Sequence, residues 1–318
     1  MIVAAHLNYL IGKRLPYSPT TLASISYAIE QQSLPKEFVE TISKYYHPLG
    51  NSIAQKVKGH SNRSVHFVGI QGSQGSGKST CASFLKLLLE SEHELQVVVA
   101  SIDDFYLTRA ERKFLAQNTH ALFAVRGVPG THDVAMMQSV FDRAEAGQTF
   151  TVPAFDKATD DRAPESDWQS ITRPVDVVIL EGWCVGVVEQ SDQDLRQPVN
   201  RLEELEDPDC LWRKMVNDAI KQDYKKLFDR LDLLICLQAP SFDCVLGWRQ
   251  LQEQKMIEKL QSEGKSIELA QTPKQIERFI SHYQRLTEHA IKTLPLTADY
   301  VLTLNEHHAF TDLRARLK

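Results

Sequence analysis

The stretch "GIQGSQGSGKST", Gly69 to Thr80, constrains this chain more than any other. It follows the apolar run Val65, His66, Phe67, Val68 and precedes a helical pattern carrying Phe84, Leu85, Leu87 and Leu88. Gly72, Gly77, Lys78 and Ser79 satisfy G-x-x-x-x-G-K-[ST], the loop whose backbone N–H groups surround phosphate oxygens at the start of a helix. A bare match arises by chance, but here a strand precedes the loop and a helix follows it, as its geometry requires. Gly72, Ser73, Gln74, Gly75, Ser76, Gly77, Lys78, Ser79 and Thr80 are therefore expected to hold the phosphates of a nucleotide. The competing reading is a glycine-rich turn without a ligand.

Five apolar runs read as buried strands: Val65 to Ile70, Val97 to Ile102, Val175 to Leu180, Leu231 to Leu237 and Tyr300 to Leu304. Their nearly continuous apolarity implies cover on both faces, so the expected class is α/β, a parallel sheet with helices on each side. Residues 1–62 carry helical spacing (Leu22, Ile25, Ala28, Ile29, then Phe38, Val39, Ile42 after Pro35) and read as an N-terminal helical extension, with the phosphate-binding domain over 63–318. Ligands of such sheets gather beyond the carboxyl ends of the strands. Residues 120–173 are expected to form a substrate loop there, with Thr151 to Arg173 as a long lid-like segment rich in charge, Pro and Asp. Residues 185–290 are expected to be a helical insertion and lid: the acidic "EELEDPD" stretch reads as solvated, and Glu253 to Lys274 as a helix leaving the core.

The 318 residues are 42% apolar and 24% charged with a net charge of −5, which suits a globular protein and gives no electrostatic footprint for nucleic acid or an anionic membrane. No run approaches the roughly twenty apolar residues needed to span a bilayer. Met1 to Arg14 lacks the order of charge, apolar core and cleavage site of a signal peptide, so a cytoplasmic location is expected. Five scattered cysteines without a C-x-x-C pair argue against a disulfide framework or a zinc site. Nothing in the sequence assigns an oligomeric state.

Two strand ends bring acids to the mouth of the phosphate loop. The second strand ends in Ser101, Ile102, Asp103, Asp104, Phe105, Tyr106, and the third in Glu181, Gly182, Trp183. Each acid alone reads equally well as a helix cap. Beside a phosphate loop, phosphoryl transfer needs one carboxylate to orient Mg²⁺ opposite the loop hydroxyl and another to accept the proton of the attacking alcohol. Glu181, with Ser79, suits the first task and Asp103 the second. "AVRGVPGTHD" and "PAFDKATDDRAP" then supply Arg126, Lys157 and Arg162, cations able to grip a small anionic substrate or merely to balance nearby carboxylates. His132 is a candidate ligand or base, with a hydrogen-bonded structural histidine as the plainer reading.

Together, the phosphate loop, "SIDDFY", "RGVPGTHD", "FDK" with "DDR", "LEGW", "LQAPSFDCVLGWRQLQEQK" and "FISHYQRLT" resemble the glycerate 3-kinase-type P-loop kinases, relatives of uridine kinase, phosphoribulokinase and pantothenate kinase. The resemblance spans roughly residues 60 to 310. It implies a P-loop kinase fold with a five-stranded parallel sheet of order 2-3-1-4-5, ATP and Mg²⁺ as cofactors, and D-glycerate as acceptor. It also implies Asp103 as base, Lys78 on the β/γ phosphates, Ser79 and Glu181 at the metal, and Arg249 in a lid near the transferred phosphate. Tyr106, Arg126, His132, Asp156, Lys157 and Arg162 join Asp103 as candidate acceptor-binding residues. The N-K-x-D and D-x-x-G motifs of a GTPase and the H-R-D and D-F-G motifs of a protein kinase are missing. Two alternatives stay open: a kinase for a pantothenate-like or sugar acid, and an ATP-binding switch without phosphoryl transfer.

Overall fold

Strand β1 (His66–Gly72) is buried at every position and forms the middle of the sheet, as its unbroken apolar run requires. The structure is a computed structural model that describes residues 15–59, 65–262 and 271–316. The parts of the expected N-terminal extension at 1–14 and 60–62, and of the expected lid at 263–270, lie outside the described residues. After β1 come β2 (Val97–Ser101), four short strands β3 (Phe150–Val152), β4 (Phe155–Asp156), β5 (Asp161–Arg162) and β6 (Gln169–Ile171), then β7 (Val177–Gly182), β8 (Leu233–Gln238), β9 (Tyr300–Leu304) and β10 (Phe310–Ala315). The described helices include α1 (Pro19–Gln31), α2 (His47–Gly59), α3 (Lys78–His93), α4 (Arg109–Asn118), α5 (Val134–Glu145), α6 (Asp192–Arg196), α7 (Arg201–Glu206), α8 (Leu211–Ala219), α9 (Phe242–Ser262) and α10 (Pro273–Thr297).

The main sheet is mixed and six-stranded, in the order β10-β9-β8-β1-β7-β2. This corrects the expected count of five and the order built on it. The five runs read from the sequence are all present and parallel, and among themselves they keep the order 2-3-1-4-5. The sixth strand, β10, pairs antiparallel with β9 at the edge. Its residues are largely exposed, so it has no apolar run that would announce a buried strand. Connections leave β1 toward β2 and β7 on one side and β8 on the other, which puts a crevice at the carboxyl end of β1.

The helices before β1 pack into the same core as the sheet. Ser18 caps α1, Pro19 opens it, and Leu22, Ile25 and Ile29 turn inward. Tyr46 stacks on Phe84 of α3, and the Tyr45 hydroxyl donates to the Phe310 carbonyl of β10 at 2.8 Å. Among the described residues no helix is long and apolar enough to cross a membrane.

Two stretches differ from their sequence reading. Thr151 to Arg173 is not a plain loop but two antiparallel ribbons, β3 with β6 and β4 with β5. The acidic "EELEDPD" stretch is not wholly solvated either: Glu203 and Asp207 are each 1% exposed. Glu203 accepts from Arg285 of α10 at 2.8 and 2.7 Å and from Arg213 at 3.4 Å. Asp207 pairs with Arg213 at 2.9 Å and also accepts the backbone N–H groups of Trp212 and Arg213, capping α8. Glu203→Ala would leave the buried Arg285 guanidinium without its carboxylate. It should lower stability by about 3–5 kcal/mol, read as an earlier midpoint in urea denaturation.

Candidate active site

The turn from β1 into α3 works only with glycine at two positions. Gly75 and Gly77 have φ of +76° and +86°, a region L side chains rarely adopt. A Cβ on Gly72 would stand 2.3 Å from the Ser76 hydroxyl, and one on Gly75 would stand 2.8 Å from Trp248 Cβ. The loop is thus closed on itself and pressed against α9. Lys78 is the first residue of α3, so the loop's backbone donors and the positive end of the helix face the same point. The buried side-chain oxygens of Ser73, Gln74 and Ser76 have no hydrogen-bond partner among the described residues.

Glu181, near the carboxyl end of β7, is 5% exposed. Its Oε1 accepts from the Ser79 hydroxyl at 2.8 Å, while Oε2 is buried without a partner among the described residues. A hydroxyl and a carboxylate with an unused oxygen form a hard-oxygen donor pair that fits Mg²⁺, an ion that keeps water and substrate phosphates as its remaining ligands. Consistently, no group of three or more His, Cys, Asp or Glu residues among the described residues forms an all-protein metal cage.

Asp103 stands in the short turn after β2, which Ser101 caps through a 3.3 Å bond to the Asp103 N–H. Its Oδ1 accepts from the Tyr106 hydroxyl and its Oδ2 from Lys157 Nζ, each at 2.8 Å. Burial opposes its charge, but Lys157, Lys78 and these hydrogen bonds outweigh burial and hold the carboxyl well below the usual range. Asp104 behaves oppositely. Burial and the adjacent Asp103 charge push its pKa up to about 6 against backbone hydrogen bonds at Phe155 and Ser101. Tyr106 is fixed by stacking on His132 (ring centroids 4.7 Å apart) and by the edge of Phe155 (5.1 Å).

His132 is a buried histidine with a defined partner: Nδ1 lies 2.6 Å from the Tyr224 hydroxyl. Burial lowers its pKa to about 4, which keeps it uncharged near neutrality, and Nε2 has no protein partner. The three candidate cations each meet a carboxylate of their own loops. Lys157 holds Asp103, Arg126 pairs with Asp160, and Arg162 lies 3.5 Å from Asp133 while donating to the Tyr106 carbonyl at 3.1 Å. Asp156 is spent locally, accepting from the Ala158 N–H at 2.9 Å and the Thr159 hydroxyl at 2.8 Å. Arg249 is not part of this group. Its guanidinium bonds Glu253 at 2.7 Å and Gln271 at 2.8 Å, one residue along α9 from the Trp248 that touches the phosphate loop.

Several residues that the sequence reading missed shape this pocket. Arg112, 1% exposed, donates to the carbonyls of Leu107 (3.2 Å), Ala124 (3.2 Å) and Asp160 (2.7 Å), joining three loops at one point. Trp183 donates to the Gly127 carbonyl at 2.9 Å, and Tyr283 donates to the Arg126 carbonyl at 2.9 Å. No local signal marks Arg112, which sits on a helix that reads as exposed. The motifs "LEGW" and "FISHYQRLT" did contain Trp183 and Tyr283.

A glycine-closed phosphate loop with a Ser–Glu pair at its helix and an Asp–Lys pair nearby defines a P-loop phosphotransferase. The chain matches the phosphoribulokinase/uridine kinase family over residues 67–216. It is 35% identical over 227 residues to an uncharacterized kinase, mug58, of Schizosaccharomyces pombe, covering 68% of this chain and 77% of that protein. The chain belongs to the phosphoribulokinase/uridine kinase family and is a kinase, a class whose phosphate donor is ATP. It is also 27% identical over 191 residues to the chloroplastic D-glycerate 3-kinase of Arabidopsis thaliana, covering 49% of this chain and 42% of that one. The solved D-glycerate 3-kinase of Cryptococcus neoformans shares the fold, with a TM-score of 0.70 at 24% identity over 85% of this chain and 99% of that one.

Gly127 has a φ of +129°, and a Cβ there would stand 1.8 Å from the Tyr283 hydroxyl. Gly127→Ala should cost at least about 1–3 kcal/mol of stability through backbone strain alone. It should also break the Tyr283 and Trp183 contacts that set Arg126. Denaturant unfolding and acceptor KM measure the two effects, with ATP affinity expected to stay near its normal value.

Proposed function

We propose that this kinase transfers the γ-phosphoryl group of ATP to a hydroxyl of a small hydroxy acid, D-glycerate, giving 3-phosphoglycerate. One observation carries the reading: the Asp103 carboxylate, in the turn after β2, and the Lys157 ammonium, from the turn of the β4–β5 ribbon, stand 2.8 Å apart. The first suits an attacking hydroxyl and the second a carboxylate a few atoms away, the two ends of a molecule such as glycerate. The D-glycerate 3-kinases among the relatives support the same acceptor.

Lys78 and the backbone of Gly72 to Thr80 hold the phosphates, and their positive ends face the charge that develops during transfer. Ser79 and Glu181 would hold Mg²⁺, which when bound neutralises phosphate charge. Asp103, oriented by Tyr106, takes the hydroxyl proton as the acceptor oxygen approaches the γ-phosphorus. The transition state is loose and the proton leaves late, so a positioned weak base suffices. Arg126 and Arg162, braced by Asp160 and Asp133, shape the acceptor side of the pocket. Asp103 is preferred to Asp104 as the base because its two oxygens meet Tyr106 and Lys157, the groups that face the acceptor in this reading.

Asp103→Asn keeps the shape but cannot take the proton, so kcat should fall by about 10²- to 10⁴-fold with ATP affinity retained. Lys78→Ala should instead remove ATP binding and turnover together. Calorimetry with ATP, and product mass after incubation with hydroxy acids, sugars and nucleosides, separate these outcomes. Turnover confined to a nucleoside or an uncharged sugar would refute the acceptor named here.

A further inference from the structure

Every cation offered to the acceptor already has an internal carboxylate, but the three pairs are not equally fixed. Arg126 is 23% exposed and shares Asp160 with the buried Arg112. Arg162 is 16% exposed and is tied to the Tyr106 carbonyl as well as to Asp133. Lys157 differs: its side chain is 62% exposed, it stands at the turn of the β4–β5 ribbon, and the contact that places its ammonium is the single bond to Asp103 Oδ2. A half-exposed pair on a flexible stem is weakly held and exchanges readily. Asp103 Oδ1, in contrast, stays engaged by the buried Tyr106 hydroxyl whether Lys157 is present or not.

This pairing has a chemical consequence. A carboxylate held by an ammonium is a poor proton acceptor, because taking the proton forfeits the ion pair. Oδ2 is the oxygen that opens most readily to an acceptor hydroxyl, since its Lys157 partner is exposed while Oδ1 is held by the buried Tyr106. We propose that Lys157 is the specificity-determining residue of this site: its ammonium guards Asp103 in the absence of an anion and moves to the acceptor's carboxylate when an acid binds, so that the acceptor's own charge releases the base.

The inference rests on the hydroxy-acid reading above and deepens it. On binding, the carboxylate of D-glycerate takes over Lys157 Nζ, and the acceptor hydroxyl donates to the vacated Oδ2. The acceptor oxygen then bonds to the γ-phosphorus while the bond from that phosphorus to the β–γ bridging oxygen breaks. The hydroxyl proton passes to Asp103, and ADP leaves with the electron pair of the broken bond. An uncharged acceptor offers Lys157 no better partner than Asp103, so it binds to a site whose base is still engaged. Discrimination against neutral analogues therefore falls on kcat as well as on KM.

The test compares D-glycerate with D-glyceramide, whose uncharged amide replaces the carboxylate at nearly the same size, in steady-state and single-turnover assays with ATP. In the unsubstituted enzyme kcat for the amide should be lower by about 10²-fold. In Lys157→Met the amide's kcat should rise by about tenfold while the KM for D-glycerate rises by a similar factor. A gain of activity on the amide is something that general structural damage does not produce. Equal kcat values for acid and amide in the unsubstituted enzyme, or a parallel fall of both in Lys157→Met, overturns this inference and leaves the kinase reading standing. Failure of the unsubstituted enzyme to phosphorylate D-glycerate at all overturns the acceptor reading, and this inference with it.

Discussion

Parallel pairing places Ile70 of β1 opposite Glu181 of β7, and Glu181 opposite Ser101 of β2. The site depends on that register, because the phosphate loop, Glu181 and the turn carrying Asp103 all leave the sheet at one level. A slip of a single residue would turn Glu181 to the other face and part it from Ser79. Close approach protects the alignment at the same edge. A Cβ on Gly182 would fall 2.4 Å from Ile102 Cγ2, so the end of β7 and the turn after β2 fit only with glycine between them. The buried Val177, Ile179 and Leu180 of β7 supply the burial that holds the strands in this register.

Beyond the sheet the loops carry charge inward, and buried ion groups keep them in place. Arg112 joins the start of α4, the loop at Ala124 and the β4–β5 ribbon through carbonyls and the Asp160 carboxylate. Arg213 and Arg285 do the same around Glu203 for the helices between β7 and α10. Such groups lose much of their Coulombic gain to desolvation, so their effect lies in where they hold the chain more than in net stability. Each guanidinium has several partners fixed in direction, which a hydrophobic contact does not impose.

How much of this was legible follows the range of the signal. The phosphate loop, the five apolar strands and the acids at their ends are encoded within a few residues, and the sequence shows them. β10 was missed because an exposed edge strand carries no apolar run. The ribbons around Phe155 were missed because strands of two or three residues are too short for a period to show. The acidity of "EELEDPD" was read as solvation because the partner that buries Glu203, Arg285, lies 82 residues away. Arg126, Lys157 and Arg162 were visible as cations near the site. Their pairing with Asp160, Asp103 and Asp133 depends on loop geometry that spacing does not encode. Arg249 was expected near the transferred phosphate from resemblance alone, and its contacts with Glu253 and Gln271 carry no local signal in the sequence either.

The two adjacent acids in the turn after β2 have opposite tendencies. Asp103 has an ammonium and a phenol on its two oxygens, whereas Asp104 has burial, its neighbour's charge and backbone contacts at Phe155 and Ser101. Their difference comes from the turn after β2, which aims one carboxylate toward the crevice and the other toward the ribbon. Phe155 is also the residue whose ring edge meets Tyr106, and it lies two residues before Lys157 on the same ribbon. The contacts at Phe155 thus bear on both groups that meet Asp103: on Tyr106 through its ring, and on Lys157 through the backbone of the ribbon they share.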